Sequence, residues 1–223
     1  MSGARHGVSD PWSEQRRPPP DTGITGEPRL TRLTAGSRIW RIHAAERDAC
    51  FFSRDTPSRM RGGRFDSPSG VPGVLYAADS YQGAIAEVLL RDVAHVDKGV
   101  RTVLLCQVRG RALSHLEVVR DLELVVLHGA AAAGVGQGLW LTKSDSVDYP
   151  LTRGWGAAIR TAVPHAAGLV WRARHDEDRL VYSFYEDVAA DAFRVMGSIA
   201  IDEAEGLEAV RRVLLEYRAV IEG

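Results

Sequence analysis

The chain has 223 residues, 45% hydrophobic and 26% charged, with a formal net charge of −1. That composition excludes a wholly disordered or collagen-like chain. A charge so near zero excludes a protein that holds nucleic acid by bulk charge alone.

The average hides a gradient: residues 1–64 carry 12 Arg against 7 acidic residues, and residues 174–223 carry 6 Arg against 12. Lys98 and Lys143 are the only lysines. Coding bias accounts for most of the Arg excess, while particular arginines suit bidentate phosphate contacts. Cys50 and Cys106 lack metal-type spacing, which points to a reduced intracellular protein. The start has no apolar signal core, and no run is long enough to span a bilayer, so a cytoplasmic protein is expected.

Residues 1–29 are polar, rich in Pro, Gly and charge, and read as a disordered tail ahead of a single domain over residues 30–223. Arg38 to His43 alternates apolar and polar residues as a strand does. Arg54 to Gly73, crowded with Ser, Pro, Gly and Arg, reads as a long loop, and Gly73 to Ala77 as a short strand. A helix is expected over Asp79 to Asp92, capped by Asp79 or Ser80, with Ile85, Val88 and Leu89 as its apolar stripe. Val100 to Val108 reads as a buried strand that includes Cys106, and Leu113 to Val119 and Glu123 to Leu127 as further strands. Gly129 to Gly138 is an Ala/Gly stretch without phosphate-loop spacing. Leu151 to Ala162 is expected to be helical; Gly168 to Trp171, Leu180 to Phe184 and Phe193 to Ile201 are expected to be strands. An amphipathic helix from Asp202 to Ile221 closes the chain, with Leu207, Val210, Leu214, Tyr217 and Ile221 at helical spacing. Short strands with interspersed helices imply an α+β fold.

No two histidines stand at HxH or HExxH spacing, so no metal site is expected, and no GxSxG elbow occurs. The informative stretch is Arg61 to Arg91. Arg64 follows two glycines, of which Gly63 can bring backbone close to a ligand. Tyr76 lies on a short strand, Glu87 in the helix after it, and Arg41 in the upstream strand. Two cations, an aromatic face and a carboxylate could hold a dinucleotide, with Arg on the diphosphate, Tyr against a flat base and Glu on a ribose. The structural alternative is an i,i+4 surface pair of Glu87 with Arg91, a core Tyr76 and solvated arginines.

The run WRIH, FF, GGRFD, GVLYAAD and AIAEVLLRD, followed by YPLTRGWGAAI, GLVWRARH and SFYEDV, resembles the RES domain over about Arg38 to Val188. The resemblance implies a mixed β-sheet core with flanking helices, like that of ADP-ribosyltransferases. It also implies NAD as substrate, with no resident cofactor. By resemblance, Arg41, Arg64 and Tyr76 contact NAD and Glu87 is the central carboxylate. The family consists mostly of bacterial toxins neutralised by Xre-type helix-turn-helix antitoxins, so a hetero-oligomer with such an antitoxin is implied, with neither direct nucleic-acid nor membrane binding. The pattern departs at Trp171 to Arg174, where Ala173 stands at the position expected for the family's serine. Cleavage of the nicotinamide–ribose bond, by hydrolysis or phosphorolysis, is the leading expectation. ADP-ribosyl transfer to a protein, or a catalytically weakened nucleotide- or partner-binding protein, are the alternatives.

Overall fold

The structure, a computed structural model, describes residues 12–54, 62–93 and 99–223. Among these residues, ten strands and five α-helices run in the order β1 (Leu30–Leu33), β2 (Arg38–Ala44), β3 (Val74–Ala78), α1 (Tyr81–Leu89), β4 (Arg101–Leu104), β5 (Arg111–Val118), β6 (Leu122–Val126), α2 (Trp140–Lys143), α3 (Tyr149–Ala162), β7 (Gly168–Arg172), β8 (Leu180–Tyr185), α4 (Glu186–Ala189), β9 (Phe193–Ala200), α5 (Ala204–Glu216) and β10 (Ala219–Glu222). The fold is α+β. Eight strands form one sheet in the order β1-β6-β7-β8-β3-β2-β5-β9, and β4 and β10 form a separate ribbon. Within the large sheet β6 and β7 are parallel and the other neighbours antiparallel.

Side-chain alternation explains the layers. One face of the sheet carries Ile39, Leu75, Leu116, Leu124, Val170 and Phe184. The other carries Val125, Leu169, Trp171 and Val181, covered by Trp155 and Ile159 of α3 and by Trp140 of α2. A third cluster joins Ile85, Ala86 and Leu89 of α1 to Val210, Val213 and Leu214 of α5. No helix among the described residues is long and apolar enough to cross a membrane.

α1 begins where the capping residues predict. The Ser80 hydroxyl accepts the Gly83 N–H at 3.1 Å, leaving Asp79 to accept the Leu180 N–H at 2.9 Å and tie the helix start to β8.

Three sequence expectations are corrected. The strand expected over Val100 to Val108 stops at Leu104, because its one partner among the described residues, β10, is four residues long; a 3₁₀ turn follows, and Cys106 is exposed rather than buried. The closing helix ends at Glu216, where Arg218 adopts a left-handed φ of 52° and reverses the chain into β10, parallel to β4. Tyr217 and Ile221 still pack on the α1–α5 cluster, so their apolar spacing reports burial on a turn and a strand. Of the expected tail, residues 1–11 lie outside the described residues, but residues 12–29 lie against the body. Trp12 and Ile24 pack on the α3-side core, and the Trp155 indole N–H donates to the Arg17 carbonyl at 2.7 Å. Arg16 pairs with Asp148 at 3.2 Å. A polar composition concealed these anchors because each is a single apolar or charged residue. Of the expected Arg54 to Gly73 loop, residues 55–61 lie outside the described residues.

Candidate active site

The large sheet has a seam. β2 pairs with β5 along its whole length and β3 pairs with β8 along its own, yet β2 and β3 pair only at Trp40 and Ala78. On α1, Ala84, Glu87 and Val88 stand at i, i+3 and i+4 and face the gap together with Arg41, Tyr76 and Val181. A cavity of about 240 Å³ opens there, below the ~300–1,000 Å³ usual for small-molecule sites, and suits part of a dinucleotide. All five residues singled out from the sequence, Arg41, Gly63, Arg64, Tyr76 and Glu87, line it.

The loop carrying Arg64 is clipped to Tyr76. The Phe65 N–H donates to the Tyr76 hydroxyl at 2.9 Å, and the Gly63 N–H donates to Asp66 Oδ2 at 2.5 Å. A Cβ on residue 63 would lie 2.4 Å from Tyr76 Cζ, so this close approach of backbone to ring requires glycine. Burial, with Asp66 next, raises the Tyr76 phenol well above its ordinary range and keeps it protonated.

Arg64 is 5% exposed. Its Nη1 donates to the Ser144 carbonyl at 2.9 Å and to Ser144 Oγ at 2.7 Å, and its guanidinium lies 5.0 Å over the Tyr149 ring. Burial lowers its pKa, opposed by Tyr149 and Glu87. Arg41 Nη1 donates to the carbonyls of Ala49 and Phe51, both at 2.9 Å, while its Nε has no partner among the described residues. Burial brings Arg41 down to about 10, so it stays cationic at neutral pH.

Glu87 is half-buried and its Oε1 accepts the backbone N–H of Arg174. Burial raises its pKa; the Arg174 N–H, Arg64 and Lys143 pull it back. The surface-pair alternative fails, because Arg91 pairs with Asp92 at 3.2 Å. The result is a carboxylate fixed in direction inside a cation-rich wall.

Sequence reasoning missed Tyr149, Trp171, Arg91 and Arg111 as lining residues, and Ser144 and Arg174 as supports. Ala173 is fully buried; its N–H donates to the Arg179 carbonyl at 2.9 Å, and its carbonyl accepts from Lys143 at 2.6 Å. The Arg64 guanidinium is met by the hydroxyl of Ser144, which no local motif marked. Ser183, opposite Tyr76 in the β3–β8 register, is fully buried, with its hydroxyl unpartnered among the described residues.

Comparison with curated protein sequences finds no match. Among solved structures, the chain is similar to one in the crystal structure of the M.tuberculosis MbcT–MbcA toxin–antitoxin complex. The TM-score is 0.57 at 21% identity, covering 84% of this chain and 91% of that one. The likeness shows a shared fold. The family model described as RES domain matches residues 38–202, a span that contains Arg41, Gly63, Arg64, Tyr76 and Glu87. The chain therefore belongs to the RES domain family.

Proposed function

We infer that the protein is a RES-type toxin that consumes NAD by breaking the nicotinamide–ribose bond, and that a helix-turn-helix antitoxin neutralises it. The observation that carries this reading is Glu87: a carboxylate held by the Arg174 N–H in a cavity whose walls include Arg41, Arg64 and the Tyr76 ring. Breaking the N-glycosidic bond leaves the electron pair on nicotinamide, which departs neutral, and builds positive charge on the ribose as in glycoside hydrolysis. Glu87 would accept from the ribose hydroxyls and stabilise that charge. Arg41 and Arg64 would hold the diphosphate and so fix the sugar relative to the carboxylate. Tyr76 would wall the nicotinamide riboside. Water or phosphate then adds to the sugar carbon, and water loses its proton to solvent.

The family and the MbcT–MbcA neighbour support an antitoxin partner. An antitoxin segment seated over the cavity mouth would exclude NAD.

The test follows nicotinamide by chromatography when purified protein meets NAD, in buffers with and without phosphate, beside Glu87→Gln. Release by the wild type and its loss in the variant is the expected result. Equal release by both removes Glu87 from the chemistry. A thermal shift with NAD but no release would leave a nucleotide-binding protein.

A further inference from the structure

Two arginines of the cavity have no task in the reading above. Arg111 opens β5, in register with Ala44 at the end of β2. Arg91 lies just past α1, four residues beyond Glu87, which is ~6 Å along a helix axis. Both line the same cavity as Glu87, Arg41 and Arg64.

Their partners do not account for their placement. The half-buried Arg111 side chain makes no hydrogen bond or ion pair among the described residues. Arg91 reaches Asp92 through Nε at 3.2 Å, which leaves its terminal nitrogens. The two guanidinium groups also feel each other: burial, then Arg91, lowers the pKa of Arg111. Arg111 is half-buried and Arg91 exposed at the rim; like charges held close repel, and an anion between them relieves the repulsion. Among the described residues, Glu87 is the one carboxylate lining the cavity, and its Oε1 is engaged by Arg174. A dinucleotide diphosphate carries two negative charges, which Arg41 and Arg64 match, so the second arginine pair is in surplus.

We propose that Arg91 and Arg111 form a subsite for a further phosphate dianion at the rim of the cavity. Its source is the 2′-phosphate of a phosphorylated dinucleotide. The assignment of a third phosphate rests on the NAD reading; the anion site itself does not.

The experiment uses the full chain, its Arg111→Gln, Arg91→Gln and Glu87→Gln variants, and four probes: NAD, NADP, adenosine 2′-monophosphate and inorganic phosphate. NADP is consumed at about tenfold lower concentration than NAD. Arg111→Gln erases the advantage and Arg91→Gln reduces it. An NADP:NAD ratio that is the same in wild type and Arg111→Gln overturns the proposal. If the wild type consumes neither dinucleotide, the NAD reading falls, and thermal shifts decide the subsite. Adenosine 2′-monophosphate or inorganic phosphate should then raise the Tm of wild type and Glu87→Gln but not of Arg111→Gln, whose own Tm reports its folding. No shift in the wild type, or an equal shift in Arg111→Gln, overturns it.

Discussion

The two parts of the sheet on either side of the seam are built differently. In the larger part, β1, β6, β7, β8 and β3, the four strands inside the edge strand β1 are packed on both faces by apolar side chains, with Trp140, Trp155 and Phe184 each less than 2% exposed. The three strands β2, β5 and β9 add Ile39 and Leu116 to that core and carry a buried polar strip beside them. His43 Nε2 meets Ser114 Oγ at 2.7 Å, and Ser114 bonds Ser198 at 2.8 Å. Trp40 stacks on His115 at 4.7 Å, and Arg194 to Ser198 of β9 are exposed. The larger part supplies the rigid wall with Tyr76 and Trp171, while the smaller part supplies Arg41 and Arg111. A cleft forms where two differently packed parts of one sheet meet with a single residue pair in register, because packing cannot close a gap that the backbone ladder leaves open.

Five perturbations would break or sharpen that contrast, from the largest effect to the smallest. Trp155→Ala removes the centre of the larger core and should cost about 3–5 kcal/mol in urea unfolding. Glu87→Gln should lower NAD turnover about 10²–10³-fold with little loss of stability, measured by nicotinamide release. The acid limb of its pH profile should lie above the ordinary carboxylate range, since burial raises the Glu87 pKa and activity needs the ionised form.

Gly63→Ala, at the seam itself, drives a methyl into Tyr76 and should cost about 1–3 kcal/mol together with NAD affinity, read by calorimetry. Ser114→Ala strands His43 Nε2 in the smaller part and should cost about 1–3 kcal/mol; an unchanged urea midpoint would mean that the polar strip is incidental.

The fifth perturbation is pH. Burial, then Arg174 and Arg101, hold His175 at about 4, against 6.5 for an unperturbed imidazole. The unfolded chain therefore takes up the proton first, so stability falls as pH drops from about 6.5 towards 4. His175→Gln should flatten that slope in urea titrations at pH 7 and pH 5.

Much of the site was legible because it is local. Gly63, Arg64, Tyr76 and Glu87 lie within one loop–strand–helix segment, where a glycine, an alternating strand and a capped helix each leave a pattern. The supports left none. Arg64 and Ser144 are 80 residues apart, and Glu87 and Arg174 are 87 apart. A hydrogen bond to a backbone N–H imposes no side-chain identity on the donor. The family pattern places its serine two residues after Trp171, whereas the hydroxyl bonded to Arg64 comes from Ser144, 80 residues away along the chain. The same limit applies to β10: four residues after a helix read as more helix, and only their parallel pairing with β4 makes them a strand.

By itself the sequence determined the α+β class, the position of most elements, the family and five residues that share one cavity. Periodicity, caps and local motifs carry that information within a few residues. Tertiary structure alone decided where the sheet parts, which hydroxyl and which backbone N–H brace the arginine and the carboxylate, and that Arg91 and Arg111 face the same cavity. Those depend on strand order and register, which bring together segments that have no common local pattern.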